Sequence, residues 1–146
     1  MSLFSLLSVS ASGMAVQRKR AELLVENMAN AETTRTPEGG PYKRKDAVFQ
    51  SDRQTSPFSS VFQTELNGGG MTGVKVSEVV VDQSEPDKRY MPGHPDADPQ
   101  GYVAFPKMNP AEDMVDLVST TRSYQGNVAA MTAIKDMIHR SLDIMR

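Results

Sequence analysis

"VENMANAETTRT", residues 25–36, decides how this chain folds. A long apolar run leads into it, two asparagines and three threonines break that run, and Pro37 follows. Asparagine and threonine side chains compete for nearby backbone groups, which suits them to helix ends rather than interiors. The residue before a proline is also pushed out of the helical region. The stretch therefore predicts a helix over 1–32 that stops here, with a different kind of chain beyond it.

Upstream, Leu7, Met14, Ala21 and Met28 recur at seven-residue intervals, and Leu3, Ser10, Gln17, Leu24 and Ala31 form a second, mixed row. That is a heptad seam with one strong and one weak position, on a helix of roughly 45 Å at about 1.5 Å per residue. The other end of the chain opens with its own start signal: Asn109 as a cap, Pro110 at the first helical position and Glu112 three after the cap. From there Leu117, Tyr124, Met131, Ile138 and Met145 form the strong row, with Met114, Thr121, Val128, Lys135 and Leu142 beside it. No proline interrupts 111–146, so this helix should exceed about 50 Å.

Residues 33–109 differ in character. "TRTPEGGPY" is turn-rich, and "YKRKDAVF" and "SSVFQTEL" read as short strands. "GVKVSEVVVD", 73–82, is the clearest strand, with Val74, Val76 and Val80 alternating and Val79 and Val81 facing the other way. "NGGGMTG" before it reads as a hairpin connection, "GYVAF" at 101–105 as its partner strand, and "SDRQTSPFSS" as a mobile loop. The expected class is α+β: two long terminal helices, 1–32 and 110–146, paired as a coiled-coil-like hairpin, with a small β-rich insertion over 33–109.

Helices this long must project beyond the middle, because a body of roughly 75 residues is only about 25 to 30 Å across. Pairing them still leaves uncovered surface. Ser5, Ser8, Ser10 and Ser12 stand where an exposed helix would carry charge, and "SYQGNVAAMTAI", 123–134, is uncharged and rich in small side chains. Gly126 in its midst costs about 1 kcal/mol against alanine. Small, neutral residues let neighbouring helices approach closely, and such faces normally lie buried at an interface. The chain reads as a subunit whose terminal helices pack against other subunits.

Composition narrows the rest. With 16 basic and 18 acidic residues and a net charge of −2, no bulk field recruits nucleic acid or an acidic membrane. The basic triplets Arg18–Arg20 and Lys43–Lys45 lack the aromatic interleaving of a single-strand platform. There is no cysteine, so thiol catalysis, disulfides and thiolate metal sites are excluded. The first 17 residues carry no charge. A secretory signal places its positive charges before the apolar stretch, and here they come after it, so this segment reads as part of the working protein, without membrane insertion.

Three chemistries fail on spacing. "DADPQG", 96–101, imitates a calcium loop, but its twelfth position is Lys107 rather than a closing glutamate. His94 with Asp96 and Asp98 lacks a partner, since the other histidine is His139 in the distant C-terminal helix. "GGG" at 68–70 has no lysine and hydroxyl behind it and opens no helix. No catalytic residue, cofactor or metal is expected.

Four stretches together resemble one family. "NMANAETT" is similar to the segment after the first helix in the axial proteins of bacterial flagella. "TTRTPEGGPYKRKDAVF", "HPDADPQGYVAFP" and "NPAEDMVDLVSTTRSYQGNV" narrow the resemblance to the basal-body rod proteins, and among them to a proximal rod component. Glu32 departs from the asparagine usual there, and Gly126 from a larger residue. The resemblance implies a tubular rod crossing the periplasmic space. In it the terminal helices line the export channel, the neighbours are copies of this chain and other proximal and distal rod proteins, and delivery is by the flagellar type III export apparatus. The expected subunit contacts are Leu3, Leu7, Met14, Ala21, Leu24 and Met28 on the first helix and Leu117, Tyr124, Val128, Met131, Ile138, Leu142 and Met145 on the second, with Asn27, Asn30 and Thr33, whose amides and hydroxyls can also bond to backbone on an adjacent subunit. A soluble coiled-coil adaptor or export chaperone is the alternative of another class.

Calorimetric titration with calcium and zinc should reveal no site tighter than about millimolar at 94–101. A stoichiometric micromolar response lost in Asp96→Ala would overturn this.

Overall fold

Helix α1 spans Leu3–Ala29 and helix α2 spans Pro110–Ile144, with strands β1 (Lys45–Ser51), β2 (Val74–Val81), β3 (Asp87–Tyr90) and β4 (Tyr102–Phe105) between them. The computed structural model describes residues 3–52 and 72–144. The expected strand at 59–66, most of the loop at 51–60 and the connection at 67–71 lie outside the described residues.

The start of α2 is built as its sequence predicts. The Asn109 side-chain oxygen accepts from the Ala111 N–H at 3.1 Å, and its carbonyl accepts from Glu112 and Asp113. Both acids sit in the first turn, where the helix dipole favours negative charge. Over 35 residues the helix runs roughly 52 Å at about 1.5 Å per residue.

The helices pack antiparallel. Gly13 lies against the Asn127 amide, and the Arg20 guanidinium stands 3.3 Å from the Asp116 carboxylate. On α2 the row Leu117, Met131 and Ile138 is half-buried as expected, although Tyr124 between them is exposed. Its partner row is a correction. In place of Met114, Thr121, Val128, Lys135 and Leu142, the residues turned inward are Asp113, Thr120, Asn127 and Ile134. Small polar residues fit this seam because their own helix satisfies them: Thr120 Oγ1 donates to the Asp116 carbonyl at 2.7 Å and Asn127 Nδ2 to Ser123 at 3.1 Å. Their size admits close approach, and a β-carbon on Gly13 would sit 3.1 Å from the Asn127 amide.

The β region is two separate antiparallel hairpins, β1–β2 and β3–β4. "GYVAF" therefore pairs with β3, a strand absent from the sequence reading, and not with β2. Four polar and aromatic residues, "DKRY", carry no alternating apolar signal. A second correction concerns β2. Phe49 pairs with Val76 but Val48 pairs with Glu78, so Ser77 is an extra residue, a β-bulge. The bulge shifts the pleat by one. Val79 and Val81 join the face of Val74 and Val76, and Val80 turns to the opposite face, across from Asp46.

The first hairpin lies along α1. Its far end is held where the Val74 N–H donates to Ser12 Oγ at 3.1 Å, its near end where Lys45 meets Asn27. The lengths agree: Ser12 to Asn27 rises roughly 22 Å at about 1.5 Å per residue, and Lys45 to Ser51 covers roughly 20 Å at about 3.3 Å. In the second hairpin Val103 is fully buried and Phe105 nearly so. Phe105 carries the Arg89 guanidinium at 4.8 Å from its ring centre and the edge of His94 at 6.4 Å.

Gly101 closes the turn into β4 with φ of +82°, and a β-carbon there would meet the Tyr90 ring at 2.8 Å and Pro92 at 3.3 Å. Gly101→Ala should lower the unfolding free energy by about 1–3 kcal/mol through strain and collision. Gly93→Ala, with open space around it, should stay within about 0.5 kcal/mol. Urea titration followed by tyrosine fluorescence checks both.

Candidate assembly surface

In "VENMANAETTRT", Glu26, Asn27, Asn30, Thr33 and Thr34 all bond within the chain. Asn27 is fully buried. Its Nδ2 donates to the Lys45 carbonyl at 2.9 Å, and its Oδ1 accepts from the Lys45 N–H and the Tyr42 hydroxyl, each at 3.0 Å. Burial, then the charge of Glu26, pushes the Tyr42 pKa up, which keeps its hydroxyl a donor. The Lys45 ammonium pairs with Glu26 and lies 5.6 Å from the Tyr42 ring centre. Asn30 Nδ2 donates back to the Glu26 carbonyl at 2.9 Å, its Oδ1 accepts from Thr33 Oγ1 at 3.2 Å, and the Thr33 carbonyl accepts from the Tyr42 N–H at 3.0 Å. Thr34 Oγ1 donates to Asp96 at 2.8 Å, with Arg35 3.8 Å from the same carboxylate. One stretch thus ends α1 and ties it to both hairpins.

This corrects two expected subunit contacts. Asn27 has no exposed surface to offer a neighbour, and Leu24 is also buried within the chain. The helix end, the strand start and Tyr42 use up the asparagine. Asp96, the first residue of the calcium-like loop, serves Thr34 and Arg35.

A second polar junction lies at the start of α2. Asp113 is fully buried. The Arg44 guanidinium is 3.0 Å from its Oδ1 and 3.1 Å from Asp46 on the other side. Neither Asp113 oxygen has a well-formed hydrogen bond. Burial pushes the Asp113 pKa up and Arg44 draws it back.

The other candidate contacts divide by exposure. Leu7, Met14, Ala21, Met28, Asn30 and Thr33 are half-buried, as are Leu117, Met131 and Ile138. Tyr124, Val128 and Leu142 are exposed. The Leu3 side chain and Met145 lie outside the described residues. Leu142 is open because α2 outruns its partner: counting antiparallel from Gly13 against Asn127, the first turn of α1 lies level with Met137.

Sequence reasoning missed part of this surface. Met114, Val115, Val118 and Met137 are all exposed, and Met114 with Val118 and Val128 lie on one side of α2 at helical spacing. Their signal is the apolar pair Met114 and Val128, which heptad spacing places on the inner seam. Ser123, Gln125, Gly126, Ala129, Ala130, Thr132 and Ala133 continue the exposed, uncharged surface. Nothing lies within 4 Å of where a β-carbon on Gly126 would stand. Among the described residues no helix is long and apolar enough to cross a membrane.

Residues 100–144 match the family model described as the C-terminal part of flagellar basal body rod FlgEFG proteins. The chain is 43% identical over 150 residues to the flagellar basal-body rod protein FlgC of Bacillus subtilis, covering 99% of both chains. It is 36% identical to the protein of that name from Borreliella burgdorferi, over 100% of this chain and 99% of the other. With that of Salmonella typhimurium the identity is 34%, over 99% and 98%.

Asn27→Ala would leave the Lys45 N–H, the Lys45 carbonyl and the Tyr42 hydroxyl without their partner. Each orphaned buried group costs about 1–3 kcal/mol, so a loss of about 3 kcal/mol or more is expected in urea titration. Asn30→Ala, removing exchangeable local bonds, should cost about 1 kcal/mol.

Proposed function

This chain belongs to the FlgC family of flagellar basal-body rod proteins, and from that membership we propose that the exposed face of α2 is the surface by which it packs into the rod. It is a structural subunit of that rod. The reading rests on one observation: the outer side of α2 from Met114 to Ala133 is exposed and, apart from Asp116 and Arg122, uncharged. A helix presenting alanines, a glycine and solvent-exposed valines has no partner for that face among the described residues, and such surfaces mark contacts with other subunits.

The seam between α1 and α2 makes a stiff rod-like element, and α2 offers its outer face to neighbours around it. Copies of this chain and other rod proteins, proximal and distal, are the proposed occupants. The half-buried residues Leu7, Met14, Ala21, Met28, Leu117, Met131 and Ile138 hold the pair together and contribute their exposed edges. The part past the first turn of α1, with Leu142, is free for contacts of its own. The work is mechanical: helices packed around an export channel transmit torque without a catalytic step. Delivery through the flagellar type III export apparatus belongs to the same proposal. The adaptor or chaperone reading finds no support in relatives that match over nearly their full length as rod proteins.

Val128→Asp should change the stability of the purified chain by no more than about 1 kcal/mol while cutting its incorporation into basal bodies and the motility of cells that rely on it. Gly126→Ala should stabilise the isolated chain by about 1 kcal/mol, since nothing in the chain needs the missing β-carbon. Gly126→Leu should impair assembly without unfolding. Recovery in purified basal bodies, set beside urea midpoints, separates the two effects. Full incorporation of Val128→Asp and Gly126→Leu would remove the face from consideration.

A further inference from the structure

Asp113 is a carboxylate in an unusual position. Its side chain is fully buried, and among the described residues neither oxygen receives a well-formed hydrogen bond and its one close cation, Arg44, is shared with Asp46. Buried charges are normally paired and fully hydrogen-bonded, because an incompletely compensated charge is costly away from water. The groups around it make the position harder. Asp46 faces it from β1, Asp116 and Glu112 from its own helix, and all three act against its charge. The Arg20 guanidinium of α1 is 3.3 Å from Asp116 rather than Asp113. Four carboxylates therefore meet two guanidinium groups at one junction.

We propose that Arg44 and Asp113 form a proton-operated clasp between the β1–β2 hairpin and the first turn of α2, closed when Asp113 is charged and slack when it is protonated. Arg44 lies next to Lys45, whose backbone is fixed by Asn27, so the hairpin end of the clasp is rigid. Asp113 lies in the first turn of α2. Protonation removes the charge that Arg44 must balance, and Asp46, 3.1 Å away, keeps the guanidinium. The start of α2 then keeps its cap, its packing and the Arg20–Asp116 pair, without the link to the hairpin.

The direction of the linkage follows from burial. The folded chain holds the Asp113 proton more firmly than the ordinary value of 3.8. The side chain thus adds stability below about pH 3.8, and this is lost as the pH rises through the folded value. Dependence on Arg44 runs the opposite way, being greatest where Asp113 is charged.

Urea midpoints of the full-length wild type, Arg44→Gln, Asp113→Asn and the double variant, taken in steps from about pH 3 to about pH 8, test this. The lowering caused by Arg44→Gln should grow as pH rises through the Asp113 titration. In the Asp113→Asn background that growth should shrink to the part carried by the Asp46 contact, which separates Asp113 from Asp46. An effect of Arg44→Gln equal at every pH, or a growth undiminished by Asp113→Asn, would overturn the clasp. Should Arg44→Gln not fold, the Asp113 carboxyl carbon of the wild type can be followed by nuclear magnetic resonance. Set beside the wild type, a midpoint that rises in Arg44→Lys supports the clasp, and one that stays where it was refutes it.

Discussion

Asn27 holds the backbone of Lys45 through both its N–H and its carbonyl, the two bonds that a neighbouring strand would make. One helical side chain thus stands in for a strand at the edge of β1. The third bond, from the Tyr42 hydroxyl, completes the amide oxygen, and the group is buried. Much else takes its place from this contact. It sets where α1 ends, where β1 begins and where the hairpin starts its run back along the helix. Ser12 then meets Val74 at the far end because the two lengths agree. Arg44, one residue before the contact, is carried to Asp113 and α2. The edge of β1 facing α1 is also closed at its start to pairing with another chain.

What could be read from the sequence divides along physical lines. Both long helices were legible because heptad spacing and the Asn109 start signal are local properties of the chain. The row Leu117, Met131, Ile138 was legible because it is apolar. The second row was not, since Asp113, Thr120 and Asn127 look like an outward face until their hydrogen bonds to their own helix, or the Arg44 ion pair, are seen. The same ambiguity ran the other way for Met114 and Val128, whose apolar character suggested burial. The bulge at Ser77 leaves no trace in the alternation of valines, and β3 none in hydropathy. The stretch 25–36 is legible as a junction from its helix-ending residues. Where its asparagines and threonines bond is not, because a polar side chain carries no sign of whether its partner lies in the same chain.

The arrangement gives the two sides of α2 different duties. Its inner side is closed by small, self-satisfied polar residues that let α1 approach. Its outer side keeps valines, methionines, alanines and one glycine in view. A globular chain working alone would place lysine and glutamate there. That difference is what the proposed packing among other rod subunits explains.

The Lys45 amide tests the account most directly. By the geometry it donates not to a strand but to Asn27 Oδ1, at the centre of the junction. Hydrogen exchange on the purified full-length chain, resolved to single amides, should find the Lys45 N–H as slow as the amides paired within the β1–β2 hairpin, opening only with the fold as a whole. Exchange of that amide at the rate of an exposed loop, while the hairpin stays protected, would contradict the claim that Asn27 fixes the hairpin to the helix.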